Sequence, residues 1–283
     1  MPPAEAVDVT QAGTEVEPSA PAGARIVQEP PRIPWSQLCL SFIKVWGYRD
    51  GYFDPEHLEI LGPSGVGKTY FEATILQQRV RLRDSRVIFV ATKPVDETIL
   101  KLGWPIVSDW KGVKKNRQVI FWPRTNKVGE EHEALMEIAI RQLLDRLWKA
   151  KVKAILVFDE IATSEDLGTP VKIRIKRFWR EARSVGITIV AMKQRPQGVQ
   201  RDMHSETAWI AAFKPKDEDD GARVAEVMGS RRQWLPILMD SLDRKKREFV
   251  LLHSVTGEAV ITWVDMPLKP AAPKARGLYK GGS

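Results

Sequence analysis

The chain has 283 residues, 43% of them hydrophobic and 28% charged, with a formal net charge of +8 and a pI near 9.5. This allows one large α/β domain with a full core, or a domain plus an appendage, and the basic excess points to an anionic partner. No apolar run approaches the ~20 residues of a membrane helix, no signal-peptide pattern opens the chain, and Cys39 as the only cysteine excludes an internal disulfide, so a reducing, cytoplasmic setting is expected.

Residues 1–33 are rich in Pro, Ala, Gly and Glu and lean acidic, which predicts a disordered arm. Residues 34–55 carry Trp35, Leu38, Leu40, Phe42, Val45, Trp46 and Tyr48, and are expected to pack as a strap on the main domain or on a neighbour. From residue 56 to 267 strands and helices alternate. Predicted strands are His57–Leu61, Arg86–Thr92, Gln118–Trp122, Ala154–Asp159, Ile187–Met192, Ala208–Phe213, Phe249–Ser254 and Ala259–Val264. Predicted helices are Val66–Arg83, Val95–Leu102, Glu130–Ala150, Val171–Ser184, Glu218–Met228 and Trp234–Leu242. This alternation argues for a parallel sheet wrapped on both sides. Residues 268–283 form a basic tail, expected to be flexible.

Between the first strand and first helix of that series lies Gly62-Pro63-Ser64-Gly65-Val66-Gly67-Lys68-Thr69, followed by Tyr70. It fits the phosphate-binding pattern G-x-x-x-x-G-K-[ST] in its strand–loop–helix setting. The glycines allow backbone N–H groups to form a nest around phosphate oxygens, and the helix that starts here adds its positive end. Lys68 is expected to reach the β- and γ-phosphates and the Thr69 hydroxyl to ligate Mg²⁺.

The apolar strand Ala154–Phe158 ends in Asp159-Glu160. After a phosphate loop, the first carboxylate is the candidate Mg²⁺ ligand and the second the candidate base for the attacking water. Gln194 follows the strand Ile187–Met192. If that strand lies beside both phosphate-binding strands, the Gln194 amide meets the γ-phosphate and the lytic water. Thr125-Asn126-Lys127-Val128-Gly129 departs from the guanine-specific Asn-Lys-x-Asp element by a glycine in the carboxylate position, so ATP is the expected nucleotide. His57, His132, His204 and His253 have no metal-ligand spacing.

The order of these motifs resembles the FtsK–HerA superfamily of DNA-translocating ATPases. The residues that carry the resemblance are Gly62–Thr69, Leu156–Glu160, Arg183-Ser184-Val185-Gly186-Ile187-Thr188 and Gln194-Arg195-Pro196, within residues 56–230. Lys193 departs from it, standing where a threonine is usual. The resemblance implies an α/β P-loop NTPase of the additional-strand RecA-like type, with a mainly parallel sheet, helices on both faces and an antiparallel C-terminal extension. It also implies a ring, usually a hexamer, with ATP at subunit interfaces, double-stranded DNA through the centre and an arginine supplied in trans to the γ-phosphate. By motif position Arg183 is the first candidate and Arg180 the second; the alternative is that both line a basic helix face. The length fits a bare motor that takes its cargo and anchor from a docking protein, as in viral genome packaging or mobile-element transfer.

Val171, Ile175, Phe178, Ala182 and Val185 repeat at 4-3-4-3 and should face the core, leaving Lys172, Arg174, Lys176, Arg177 and Arg180 mostly outside. These, and the loop Asp109–Arg117 with Lys111, Lys114 and Lys115, either grip DNA phosphates in a pore or form solvated basic surface. Arg244-Lys245-Lys246-Arg247 is expected to be a turn. A nucleotide-gated assembly or export ATPase that moves no DNA is the competing reading of the same motifs.

Overall fold

The computed structural model describes residues 29–49, 52–82, 85–93, 97–123, 126–194 and 204–269. Most of the acidic arm, Arg195, Pro196 and residues 270–283 lie outside the described residues. A short hairpin of β1 (Tyr48–Arg49) and β2 (Tyr52–Phe53) precedes the main sheet. That sheet contains β3 (His57–Leu61), β4 (Val87–Val90), β5 (Ile106–Val107), β6 (Gln118–Phe121), β7 (Ala154–Phe158), β8 (Ile187–Lys193), β9 (Thr207–Phe213), β10 (Phe249–His253) and β11 (Ala259–Thr262). Its order is β11-β10-β9-β3-β8-β7-β4-β6-β5. From β9 to β5 every neighbouring pair is parallel. β10 and β11 extend it antiparallel, so the expected fold class holds.

The helices are α1 (Trp35–Val45), α2 (Lys68–Leu82), α3 (Glu97–Leu100), α4 (Trp110–Lys115), α5 (Glu130–Ala150), α6 (Ile161–Asp166), α7 (Thr169–Glu181) and α8 (Glu218–Val227). They cover both faces because the central strands are apolar at nearly every position. In β7, Ile155 and Val157 pack with Trp35 and Phe42 of α1 and with Phe71 and Ile75 of α2. Leu156 and Phe158 face the other way, onto Ile140 of α5 and Val171, Ile175 and Phe178 of α7. No helix among the described residues is long and apolar enough to cross a membrane.

Four local expectations are corrected. The segment Asp109–Arg117 is not a loop but carries α4, whose first turn is capped where Asp109 Oδ1 accepts from the Gly112 N–H at 2.7 Å. The predicted helix Trp234–Leu242 is helical but not a regular α-helix: it takes in the end of a 3₁₀ segment, Gly229–Trp234, then Leu235 and Pro236, and a π turn, Ile237–Ser241. The helix after the phosphate loop starts at Lys68 rather than Val66, because Gly65 and Gly67 hold positive φ. The arm does not remain free up to residue 33: the Ile33 N–H donates to the Ile261 carbonyl and the Ile261 N–H to the Pro31 carbonyl, each at 2.9 Å. An edge strand leaves its backbone groups unpaired, and here the arm takes up those of β11.

α1 presents a buried stripe, Trp35, Cys39, Phe42 and Ile43, that joins the main core. Arg79 of α2, almost fully buried, holds its C-terminal end by donating to the carbonyls of Ile43 and Trp46. Its guanidinium also lies over the Trp46 ring. Trp179 is fully buried, and Trp104, Trp122, Trp148 and Trp209 are partly buried against the two cores.

The α7-facing side of β3 is polar. His57 Nδ1 accepts from the Ile189 N–H and Nε2 donates to the Trp179 carbonyl, both at 3.1 Å, so the ring must be neutral. Burial pushes its pKa down to about 3. Two residues on, Glu59 is fully buried between Lys193 Nζ at 2.7 Å and His204 Nδ1 at 2.8 Å. Burial pushes its pKa up, but Lys193 and His204 outweigh that and hold it near 2. For His57 the unfolded chain binds the proton more readily, so its contribution weakens as pH falls from about 6.5 toward 3. Comparing urea denaturation at pH 6.5 and 4.5, His57→Gln is expected to lose about 2 kcal/mol of the wild-type pH dependence in that window.

Candidate functional site

Three strands deliver their ends to one point. β8 lies between β3 and β7, with Leu61 opposite Lys193 and Phe158 opposite Ala191. The residues after these strands therefore emerge side by side at the C-terminal edge: the glycine loop after β3, Gln194 after β8, and Asp159 and Glu160 after β7. They line one open cavity of about 390 Å³ together with Lys68 and Thr69. The strand order that Gln194 required is the observed one.

The loop leaves β3 through Gly62 at φ +147, where a Cβ would lie 2.7 Å from Phe213 Cβ on β9. Only glycine fits so close to a neighbouring strand with that backbone. Lys68 opens α2 and is nearly buried, its Nζ donating to the carbonyls of Gly62 at 2.7 Å and Pro63 at 2.8 Å. Burial lowers its pKa to about 8, with Glu160 opposing. Tyr70, expected to touch the nucleotide, also anchors the C-terminal segment: its hydroxyl donates to the Met266 carbonyl and accepts from the Leu268 N–H, both at 3.1 Å.

Asp159 is nearly buried and faces Lys93 Nζ at 3.7 Å. Glu160 sits half-buried beside it and is hydrogen-bonded by the Gln194 side chain; burial raises its pKa, while Lys93 and Gln194 pull against the rise. The donor set fits a small hard cation. The Thr69 hydroxyl and Asp159 carboxylate line the same cavity and would offer oxygen donors of the kind Mg²⁺ takes.

Sequence reasoning missed three groups. Lys93 stands three residues beyond β4, which pairs with β7 so that Val90 faces Phe158; its arrival here follows from strand order. Glu72, three residues after Thr69 on α2, is fully buried with both carboxylate oxygens unpartnered. Burial first, then Asp159, raises its pKa well above the usual range. Helical spacing from Thr69 was the available signal. Arg247 ends the expected Arg244–Arg247 turn, but its Cδ lies 3.1 Å from the Cβ position of Gly67, against the phosphate loop.

Arg183 is not in this cluster. It lies in the 3₁₀ turn Ala182–Val185 before β8, so the length of that strand, roughly 20 Å, separates it from Gln194. Its guanidinium meets Asp54 at 3.4 Å. Gly186, at φ +83, ends the turn where a Cβ would come 2.9 Å from Lys153 Cγ, so the glycine of that motif is a backbone requirement. Of the expected DNA contacts, Lys111, Lys114 and Lys115 sit on α4, which packs against β6 near one edge of the sheet, and Lys172 is exposed on α7. Arg174 is engaged by Asp145 in a fork, at 2.7 Å from Nε and 3.0 Å from Nη2, which occupies one edge of its guanidinium.

No family model matches the sequence, and no curated protein matches it. Solved structures share its fold. The genome packaging NTPase B204 from Sulfolobus turreted icosahedral virus 2, in complex with AMP, aligns at TM-score 0.57 and 11% identity over 76% of this chain and all of that one. B204, the DNA-packaging ATPase from Sulfolobus Turreted Icosahedral Virus, aligns at TM-score 0.57 and 14% identity over 76% and 100%. VirB4 of Thermoanaerobacter pseudethanolicus aligns at TM-score 0.56 and 11% identity over 75% and 89%. At these identities the likeness is one of fold.

Gly62→Ala tests the loop geometry directly. The added Cβ meets β9 and forces the backbone out of its φ, which is expected to cost about 1–3 kcal/mol in a denaturant melt. Nucleotide binding measured by calorimetry should weaken with it.

Proposed function

We propose that the chain is an ATP-hydrolysing motor subunit of the FtsK–HerA type that works as a ring and moves double-stranded DNA. The observation that carries this reading is β8 inserted between β3 and β7, which brings Gln194 to Glu160 beside the phosphate loop. The fold shared with genome-packaging ATPases and VirB4 supports it, as does the basic charge. Genome packaging or mobile-element transfer is the setting we favour, with a docking protein supplying the anchor.

In this reading the backbone N–H groups of Gly65–Thr69 bind the phosphates, and Lys68 exchanges the carbonyls of Gly62 and Pro63 for phosphate oxygens. Thr69 and Asp159 would hold Mg²⁺, which neutralises charge on the β- and γ-phosphates when bound. Glu160 accepts the proton of the attacking water, and its raised pKa suits that task near neutral pH. Gln194 holds Glu160 and orients the water. Arg183, remote from its own cavity, is assigned to a neighbour's γ-phosphate, in a ring for which we favour six subunits.

Steady-state hydrolysis without DNA, with short duplexes and with long duplexes separates this from a nucleotide-gated assembly ATPase. Stimulation that grows with duplex length and falls with salt supports the motor; indifference to DNA supports the assembly reading. Glu160→Gln should retain ATP binding and lose turnover by about a hundredfold or more. Normal turnover would remove Glu160 as the base. Arg183→Ala mixed with wild type should depress activity more than linear dilution, and a linear response would remove the trans assignment.

A further inference from the structure

Lys93 has no part in the roles assigned above, yet it lies on the wall of the same cavity as Lys68, Asp159, Glu160 and Gln194. It arrives there from β4, on the far side of β7 from the phosphate loop. Lys68 and Lys93 therefore approach the space between them from opposite sides. We propose that Lys93 is a second phosphate-contacting lysine, which leaves Asp159 when nucleotide enters and takes the γ-phosphate from the side opposite Lys68. This rests on the nucleotide reading of the site.

The geometry of the pair with Asp159 supports such a transfer. The Nζ–Oδ2 distance is 3.7 Å, and the lysine side chain is 45% exposed against 5% for the aspartate. A charge-assisted hydrogen bond closes to about 2.7–2.9 Å, so the ammonium is near Asp159 without being bonded tightly to it. An ion pair with one partner this exposed adds little to the stability of a fold. The position is better explained by what occupies the cavity. Lys93 is also the foremost charge offsetting burial at Glu160, and it lowers the pKa of Lys68; its field reaches both banks of the cavity.

The same site holds the Thr69 hydroxyl and Asp159 carboxylate that suit a divalent cation. Asp159, if it held a divalent cation, would no longer favour an ammonium a few ångströms away, because like charges repel. Once displaced, Lys93 is on a flexible four-carbon stem, and the anion that enters with the metal is the phosphate chain. Cations on both sides of a phosphoryl group stabilise the charge that develops as it transfers.

The test is calorimetric titration of the full chain with ADP and with the β,γ-methylene analogue of ATP, each with Mg²⁺, in wild type, Lys93→Ala and Lys93→Arg. Lys93→Ala is expected to bind the analogue about tenfold or more weakly while ADP affinity changes by no more than about twofold. Lys93→Arg should recover most of the loss. Unchanged melting temperatures in both variants show that the fold is not the cause. Equal affinity of wild type and Lys93→Ala for the analogue overturns the assignment, and so does an equal weakening toward both ligands. If wild type binds neither ligand, the nucleotide reading falls and takes this assignment with it.

Discussion

A β-strand inside a sheet has two neighbours and no more, and β8 spends both on β3 and β7. The backbone pairing is continuous on each edge, from Leu58 to Leu61 on one side and from Ala154 to Phe158 on the other. Every distance in the candidate site follows from this. The loop after β3 and the carboxylates after β7 are one strand apart, about 10 Å across two inter-strand spacings, and Gln194 stands between them. Move β8 elsewhere and the amide, the carboxylates and the lysine no longer share a cavity.

Such a placement must be rigid, and the polar face of β3 contributes to that. A buried Glu59 held by Lys193 and His204 joins the phosphate-loop strand to the residue that immediately precedes Gln194. A buried ion pair does not raise stability over an apolar substitute, but removing one partner strands a charge. That asymmetry disfavours a slip of β3 against β8, since a shift of one residue would turn Glu59 to the face opposite Lys193. The lysine in place of the resemblance's threonine is thus coupled to a glutamate in the neighbouring strand β3. Neither residue makes sense without the other.

Much of this was legible in the chain. The glycine loop and Asp159-Glu160 were found by pattern, because each is local and ends a strongly apolar strand, whereas Gln194 was named only on condition of a strand order. Strand order is not local, and other groups that depend on it stayed hidden. Lys93 is a single lysine after a strand, with nothing in its neighbourhood to mark it, until β4 is known to pair with β7. Glu72 looked like any polar residue on a helix; only its burial sets it apart. The helix α1 was read as a strap because its stripe of Trp35, Cys39, Phe42 and Ile43 spans barely three turns, too short for periodicity to decide. The apolar run Trp234–Leu242 was read as a helix, and periodicity over so few residues does not tell an α-helix from the 3₁₀ and π turns it forms.

The two edges of the sheet constrain how copies of the chain could meet. On one side, residues 31–33 already pair with β11. On the other, β5 is two residues long, too short to offer a template for strand addition. Assembly through sheet continuation is therefore disfavoured at both ends, and any contact between copies would fall to helix faces and to loops at the strand ends. Arg183 is on the edge of the sheet opposite the cavity, about a strand's length from its own phosphate loop. An arrangement that brings one copy's Arg183 edge against another's cavity joins unlike surfaces, and a repeated contact of unlike surfaces closes into a ring or runs on as a filament. Which of the two occurs depends on the rotation between copies, not on any residue of the site itself.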